Sequence, residues 1–227
     1  DEGGLPCLEG VAAWCRDDAN VHFVPGRLLC LENTHNRHGG VAVPPGPFED
    51  AARFARDRRL RTHLDGARIF NAAAFHGVDV RAYTTEVDSV QFCLSKGLCA
   101  PVGSMLVGRR EDMEQARLLR KRLGGGMRQA GVLAAAGLVA LNEMTARLAE
   151  DHRKAAWLAE EISRIRGLRL THRVQTNIVI FDVSGTGLAA AEFSRRLKQR
   201  GVLINPVNET CLRAVTHHDA DFEACRQ

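Results

Sequence analysis

Aromatic side chains are scarce: nine Phe, two Trp and one Tyr make up 5% of 227 residues. A core of any size must therefore be built from Ala, Leu, Val and Ile, and the chain is long enough for one large domain or two smaller ones. Strong charge of one sign is lacking too. The net charge is +4 with both signs interspersed, and no basic arm with interleaved aromatics occurs, which argues against nucleic acid as a partner. The runs Arg56, Arg58, Arg59, Arg61 and Arg117, Arg120, Lys121, Arg122 read as solvated faces rather than phosphate tracks. Seven cysteines are scattered with no CxxC pair, so neither a disulfide framework nor a zinc site is supported. Reduced thiols in an intracellular, cytoplasmic setting fit that usage. No apolar run approaches the ~20 residues of a membrane span, and no signal peptide is recognisable, although Asp1-Glu2-Gly3-Gly4 carries no initiator Met.

What is present alternates between strand and helix patterns. Residues 5–19 read as a helix with Leu8, Val11, Ala12 and Cys15 on one face. Leu28-Leu29-Cys30-Leu31 is wholly apolar, as in a strand buried on both faces of a parallel sheet. It runs into the polar cluster Glu32-Asn33-Thr34-His35-Asn36. That cluster is either a crevice-lining loop at a strand's carboxyl end or an Asx-type turn closing the strand. After Pro44, Pro45 and Pro47, a helix is expected from Phe48 to Arg59, then a strand Thr62-His63-Leu64-Asp65, a helix Ala67–Phe75 closed by Gly77, and a strand Val87–Leu94. Ser104–Gly108 reads as the hairpin partner of that strand. Helical periodicity follows from Arg109, broken by Gly124-Gly125-Gly126. Gln129–Met144 is so apolar all round that it is expected to be buried, and Ala146–Ile165 is amphipathic. The last portion offers strands at Asn177–Val183, Gly201–Ile204 and Leu212–His217, a helix Leu188–Arg200, and a final helix with Asp219 as its N-cap. This order predicts an α/β fold, with a large domain over 1–150 and a smaller α+β domain over 151–227.

Val87–Leu94 leads straight into Ser95-Lys96-Gly97, which puts one lysine on a Gly-rich turn at the mouth of an apolar strand. Burial disfavours the charged form of a lysine and leaves an amine nucleophile fit for a Schiff base. The other reading is a surface lysine snorkelling into water from a strand end. Asp65 leaves its own strand at the corresponding edge. One cofactor uses such a pair: pyridoxal phosphate takes a lysine amine at its aldehyde and a carboxylate against its ring nitrogen.

The stretches around the pair are more specific than their spacing. His63-Leu64-Asp65-Gly66-Ala67-Arg68-Ile69-Phe70-Asn71-Ala72 and Phe92-Cys93-Leu94-Ser95-Lys96-Gly97-Leu98-Cys99-Ala100-Pro101-Val102-Gly103-Ser104 closely resemble the low-specificity L-threonine aldolases of the aromatic β-eliminating lyase group. So do Leu31-Glu32-Asn33-Thr34-His35-Asn36, Leu123-Gly124-Gly125-Gly126-Met127-Arg128-Gln129 and Leu212-Arg213-Ala214-Val215-Thr216-His217. The five blocks follow one another in the family's order. The resemblance implies a fold type I, PLP-dependent transferase-like large domain with a mainly parallel sheet and a smaller C-terminal α+β domain. It implies pyridoxal 5'-phosphate on Lys96, with Asp65 at the pyridine nitrogen. Arg68 would meet the cofactor's phenolic oxygen or the substrate carboxylate, and Arg213 would be the main carboxylate clamp. Arg128 would lie near the cofactor phosphate, either of its own subunit or of a neighbouring one in a homodimer or homotetramer. The activity implied is retro-aldol cleavage of threonine or allo-threonine to glycine and an aldehyde. For His35 and His217 a chemical role and plain packing both remain open, and no proton acceptor for the β-hydroxyl is assigned.

Three departures accompany the likeness. The family carries a leading segment with a ring-stacking histidine and a small-residue phosphate loop, and no Ser-Gly-Thr-like loop occurs ahead of Leu28. A truncated or processed member is therefore expected, with a catalytically inert homologue as the alternative to an active aldolase and a plain α/β binding module as the third reading. Cys99 stands where glycine is more usual, and would be oxidisable if its thiol were acidified there. Glu209, ahead of the Arg213 strand, would repel a substrate carboxylate unless it faces solvent.

Overall fold

A computed structural model of the protein describes residues 3–15 and 20–226. Helix α1 (Leu8–Trp14) realises part of the first expected helix, whose continuation over 16–19 lies outside the described residues. Strand β1 (Leu28–Glu32) is followed by α2 (Pro45–Asp57). That helix starts earlier than its apolar pattern alone indicates, because proline is preorganised for the first helical position and has no N–H to leave unpaired there. Its Phe48, Ala51, Ala52 and Ala55 face the sheet. Next come β2 (Arg61–Asp65), α3 (Ile69–His76), the single turn α4 (Arg81–Thr84), β3 (Ser89–Cys93) and β4 (Ser104–Gly108). Gly77 ends α3 in the left-handed conformation, φ +64°, where only glycine avoids a Cβ penalty.

These strands form one sheet in the order β1-β2-β3-β4, the first three parallel and the last antiparallel. The register sets Glu32 beside Asp65 and Asp65 beside Gln91. The carboxyl ends of the three parallel strands therefore share one edge, where a doubly wound sheet opens its crevice. Leu31, Leu64 and Val90 fill the core beneath that edge with Phe48, Ile69 and Tyr83. β4 pairs with the lysine strand as its pattern predicts, from Ser89 opposite Gly108 to Cys93 opposite Ser104.

Beyond β4, α5 (Arg110–Arg122) is followed by an uninterrupted helical stretch from Gly131 to Arg164. It comprises α6 (Gly131–Val139), a π turn (Ala140–Met144), a 3-10 turn (Thr145–Arg147) and α7 (Leu148–Arg164). By length and composition alone this stretch could cross a bilayer. Its α7 half is nevertheless committed to protein contacts: Leu148 packs with Leu94 and Leu98, while Ala155, Ala159 and Ile162 pack under the second sheet. Residue 150, the expected domain boundary, falls inside α7, so one helix serves both cores. The expected burial of Gln129–Met144 is not met: Val132 is 70% and Leu138 62% exposed. An all-round apolar helix needs neighbours on every side, and the described residues cover only the side bearing Gly137 and Ala140.

The second sheet is antiparallel throughout, in the order β5-β6-β8-β7, from β5 (Arg169–Leu170), β6 (Ile178–Asp182), β7 (Asn205–Pro206) and β8 (Cys211–Val215). Helix α8 (Ala190–Lys198) precedes β7, and α9 (Phe222–Arg226) closes the described chain. The apolar run Gly201–Ile204 is not a strand; pairing to β8 starts at Asn205, where the backbone comes alongside Arg213. The cap of α9 also moves, because Asp221, not Asp219, accepts the Ala224 N–H at 2.8 Å.

Two contacts tie the sheets together. The loop after β1 leans on the second sheet through the Thr176 hydroxyl, which donates to the Gly40 carbonyl at 2.7 Å, and the Gln175 amide oxygen, which accepts the Ala42 N–H at 2.8 Å. Gly39, at φ +74°, lies so close to His172 that a Cβ there would fall 2.1 Å from Nε2. The second contact is a buried charge cluster. Asp151 and Lys154 are both 0% exposed and paired at 2.9 Å, and Arg147 adds Nη bonds to Asp151 at 2.6 and 3.1 Å. The Lys154 amine also donates to the His217 and Ala220 carbonyls at 2.6 and 2.7 Å, clipping the chain after β8 onto α7.

Candidate active site

Asp65 is the last residue of β2, half-buried at the shared carboxyl edge. Its Oδ1 accepts the Ala67 N–H at 3.0 Å and the Gln91 amide N–H at 2.5 Å. The next parallel strand thus fixes the carboxylate's orientation, and Oδ2 is left without a hydrogen bond among the described residues. A carboxylate with one oxygen tethered and one free suits a protonated ring nitrogen. Around it, Cys30, Glu32, His35 and His38 line a cleft of about 480 Å³. A larger, mainly apolar groove of about 1070 Å³ runs along the second sheet between α7, α8 and α9; Arg213 lines it, and Asp65 does not.

Lys96 leaves β3 on the turn that follows Leu94. Three backbone bonds shape this turn: Leu94 N–H to Gly103 at 3.0 Å, Ala100 N–H to Leu94 at 3.0 Å, and Cys99 N–H to Lys96 at 2.9 Å. Gly97 presses against α7 and α3; a Cβ there would meet Leu148 Cδ2 at 2.9 Å and Asn71 Oδ1 at 3.5 Å. Asn71 is buried and held by the His152 ring at 3.1 Å, whose pKa burial pushes down to about 4, so it is neutral at physiological pH. The lysine turn is therefore seated on a tight surface whose histidine carries no charge. The amine itself is not dry. Lys96 is exposed and its amine makes no hydrogen bond or ion pair among the described residues, because no described element covers the crest of the turn. Of the two readings of this strand end, the exposed lysine is the one observed.

Cys99 has φ +60°, which accounts for glycine suiting that position better. Partial desolvation pushes its thiol up, opposite to the acidification that would favour oxidation.

Arg68 and Arg213 come from opposite ends of the chain and converge. Arg68 precedes α3; Arg213 sits in the middle of β8. Their Nη1 atoms both donate to one acceptor, Asn36 Oδ1, at 3.3 and 3.1 Å. Neither forms an ion pair with a carboxylate among the described residues. Burial, and then the positive charge of Arg213, push Arg68 down from the usual arginine value. Two guanidinium groups sharing one neutral oxygen form a site short of negative charge, shaped for a planar anion.

The polar cluster after β1 holds this arrangement up. Glu32 Oε1 accepts the Asn36 N–H at 3.1 Å, while Glu32 Oε2 lies 3.7 Å from His35 Nε2. The Asn33 side chain exchanges two 3.1 Å hydrogen bonds with the Val43 backbone. His35 stacks on His38 at 4.3 Å, and burial lowers its pKa, so it is neutral near pH 7. His217 contributes its carbonyl to Lys154, and its ring Nδ1 accepts the Asp219 N–H at 3.1 Å. Glu209 is exposed, as a solvent-facing loop position requires. Arg128 lies exposed in the loop between α5 and α6 and contacts none of Asp65, Lys96, Arg68 or Arg213. The residue whose role the sequence does not announce is Asn36. Its partners are 32 and 177 positions away, and a run of polar residues after a strand reads equally well as a turn.

Comparison with known proteins adds to this geometry. Low-specificity L-threonine aldolase 1 from Arabidopsis thaliana is 43% identical over 221 residues, which is 96% of this chain and 62% of that protein. Low specificity L-threonine aldolase from Escherichia coli (strain K12) is 45% identical over 222 residues, 98% of this chain and 63% of that protein. The chain thus spans just under two thirds of the length of these relatives. A solved threonine aldolase from Leishmania major superimposes with a TM-score of 0.78 at 18% identity, over 99% of this chain and 66% of that one, which supports the fold. The profile of the beta-eliminating lyases matches residues 1–186, and this chain belongs to the beta-eliminating lyase family.

Proposed function

We propose that the protein is a pyridoxal 5'-phosphate-dependent lyase that cleaves L-threonine and L-allo-threonine to glycine and acetaldehyde. The observation that carries this reading is the convergence of Arg68 and Arg213 on Asn36, with Arg68 within electrostatic reach of Asp65 at the carboxyl edge. It is supported by the names of the relatives that match nearly the whole chain. When bound, the cofactor supplies an electron sink for the carbanion left on the future glycine. The chain's own residues supply the rest. Asp65 offers its free Oδ2 to the ring nitrogen, Lys96 offers an unencumbered amine for covalent attachment, and Arg68 and Arg213 take the substrate carboxylate. Held by two guanidiniums, the substrate would be kept from turning, which fixes the orientation of the bond to be broken.

The clamp makes a direct prediction. Arg213→Ala is expected to lower kcat/KM for threonine about 100-fold, the loss of roughly two charge-assisted hydrogen bonds, chiefly through KM. Steady-state kinetics of glycine release would measure it, and an unchanged KM would remove the carboxylate role.

We further propose that copies of the chain associate, as a homodimer or homotetramer, through the apolar face of β4, α5 and α6, where Leu106, Leu119, Leu123, Val132 and Leu138 are exposed. Exposed apolar side chains that gather into a patch mark sites of protein association. Arg128, on the loop of that face, then approaches the cofactor phosphate of the neighbouring copy. Light scattering should show Leu138→Asp shifting the assembly to a lower mass at micromolar concentration; retention of the wild-type mass would argue against this face.

A further inference from the structure

We infer that Asn36 is a positioning residue that sets the spacing and charge of the carboxylate clamp, and so selects for ligands that carry a carboxylate. The inference rests on the proposed role of Arg68 and Arg213. Two guanidiniums brought to one acceptor repel each other, and Arg68 is shifted down in part by Arg213. Without a shared acceptor they would turn apart. Asn36 Oδ1 supplies that acceptor, 3.3 Å from Arg68 Nη1 and 3.1 Å from Arg213 Nη1. The orientation of its amide is forced, since the NH₂ group would face two donors.

The neutrality of the acceptor matters as much as its place. An aspartate at this position would pair with both arginines and fill the clamp with a carboxylate of its own. Asparagine holds the same geometry and leaves both charges uncompensated for the ligand. The position of Asn36 is in turn fixed from behind: its N–H is taken by Glu32 Oε1 at 3.1 Å, and Glu32 is the last residue of β1, in register with Asp65. One strand pair thereby sets the distance from the ring-nitrogen carboxylate to the clamp.

The test compares wild type, Asn36→Ala, Asn36→Asp and Arg213→Ala in the cofactor-loaded protein. For each, kcat and KM for threonine are measured, together with inhibition by 1-amino-2-propanol, which has the amine and hydroxyl of threonine but no carboxylate. Asn36→Ala is expected to raise KM about 10-fold, because it removes both bonds that align the guanidiniums but leaves the guanidiniums themselves, with kcat within about 3-fold. The near-isosteric Asn36→Asp is expected to raise KM more, about 100-fold, and keeps the test sound if the alanine variant folds poorly. Neither should change inhibition by the aminoalcohol by more than about 2-fold, whereas a general loosening of the site would weaken both ligands together. In the Arg213→Ala background, Asn36→Ala should add less than about 2-fold, because the pair acts as a unit. Parallel losses for both ligands, or an Asn36→Asp variant with wild-type KM, overturn the inference while leaving the clamp intact. If Arg213→Ala itself leaves KM unchanged, the clamp reading fails and this inference with it.

Discussion

Lys96→Ala is expected to abolish the visible absorption band that the protein gains on mixing with pyridoxal phosphate, and to lower threonine cleavage by at least about 10³-fold, as for loss of a catalytic nucleophile. The geometry singles this lysine out. Its turn follows β3, the strand that pairs with β2 up to Asp65, its amine has no hydrogen-bond partner among the described residues, and the turn is braced by Gly97 against Leu148 and Asn71. The buried Lys154 is spent on Asp151 and two backbone carbonyls, and Lys121 and Lys198 lie on α5 and α8, away from the edge. Lys96→Arg is a sharper control, because a guanidinium keeps the charge and the length but does not give up its proton. It too should show no band. A band that persists in either variant, with reductive trapping of the label on another lysine, would sink the assignment.

Exposure of the Lys96 amine changes how its reactivity is explained. An apolar strand running into Ser-Lys-Gly suggests a lysine dried by burial, yet β3 ends at Cys93 and the turn lifts the side chain clear. Within the described residues, reactivity comes from position. The amine is free of ion pairs, and a cofactor docked against Asp65 would itself exclude water from it.

The strands and their order were legible because their signals are local. Leu28–Leu31, Thr62–Asp65 and Val87–Leu94 are short apolar runs, each ended by polar or glycine residues, and the observed β1, β2 and β3 fall within a residue or two of them. The candidate residues Asp65, Lys96, Arg68 and Arg213 were readable from family-like blocks. What joins the two arginines was not, since Asn36 acquires its role only when β8 is brought beside the loop after β1. Gln129–Met144 misled for a related reason: composition reports how apolar a helix is but not which neighbours it has. The charge cluster on α7 did leave a trace. Arg147, Asp151 and Lys154 share the helical face of Leu148, Ala155 and Ile162, so charged residues stand at inward positions of a 3.6-residue repeat. Charged side chains on an inward face imply pairing with one another or with backbone.

That cluster sets the second large effect. Asp151→Ala would strand the Lys154 ammonium and the Arg147 guanidinium beside it without their carboxylate, and a buried pair broken from one side costs about 3–5 kcal/mol. Against a typical stability of about 5–15 kcal/mol, this is a large share, readable as a lower urea midpoint at neutral pH. Lys154→Met is expected to cost less, about 1–3 kcal/mol, since Asp151 keeps Arg147 while two carbonyls lose their donor. Acid separates this from a plain packing defect. Burial alone would raise the Asp151 pKa, but hydrogen bonds from Arg147 and Lys154 outweigh it and hold the carboxyl below its usual value. A depressed native pKa stabilises the fold above the ordinary aspartate value of 3.8 and ceases to do so as pH falls through the native one. The gap between wild type and Asp151→Ala should therefore be full at pH 6 and close progressively below 3.8. A gap that stays constant down to the acid transition would mean that Asp151 contributes shape rather than charge. The consequence reaches the active edge, because the same helix carries Leu148 beneath Gly97 and His152 against Asn71: whatever loosens α7 also unseats the turn that presents Lys96.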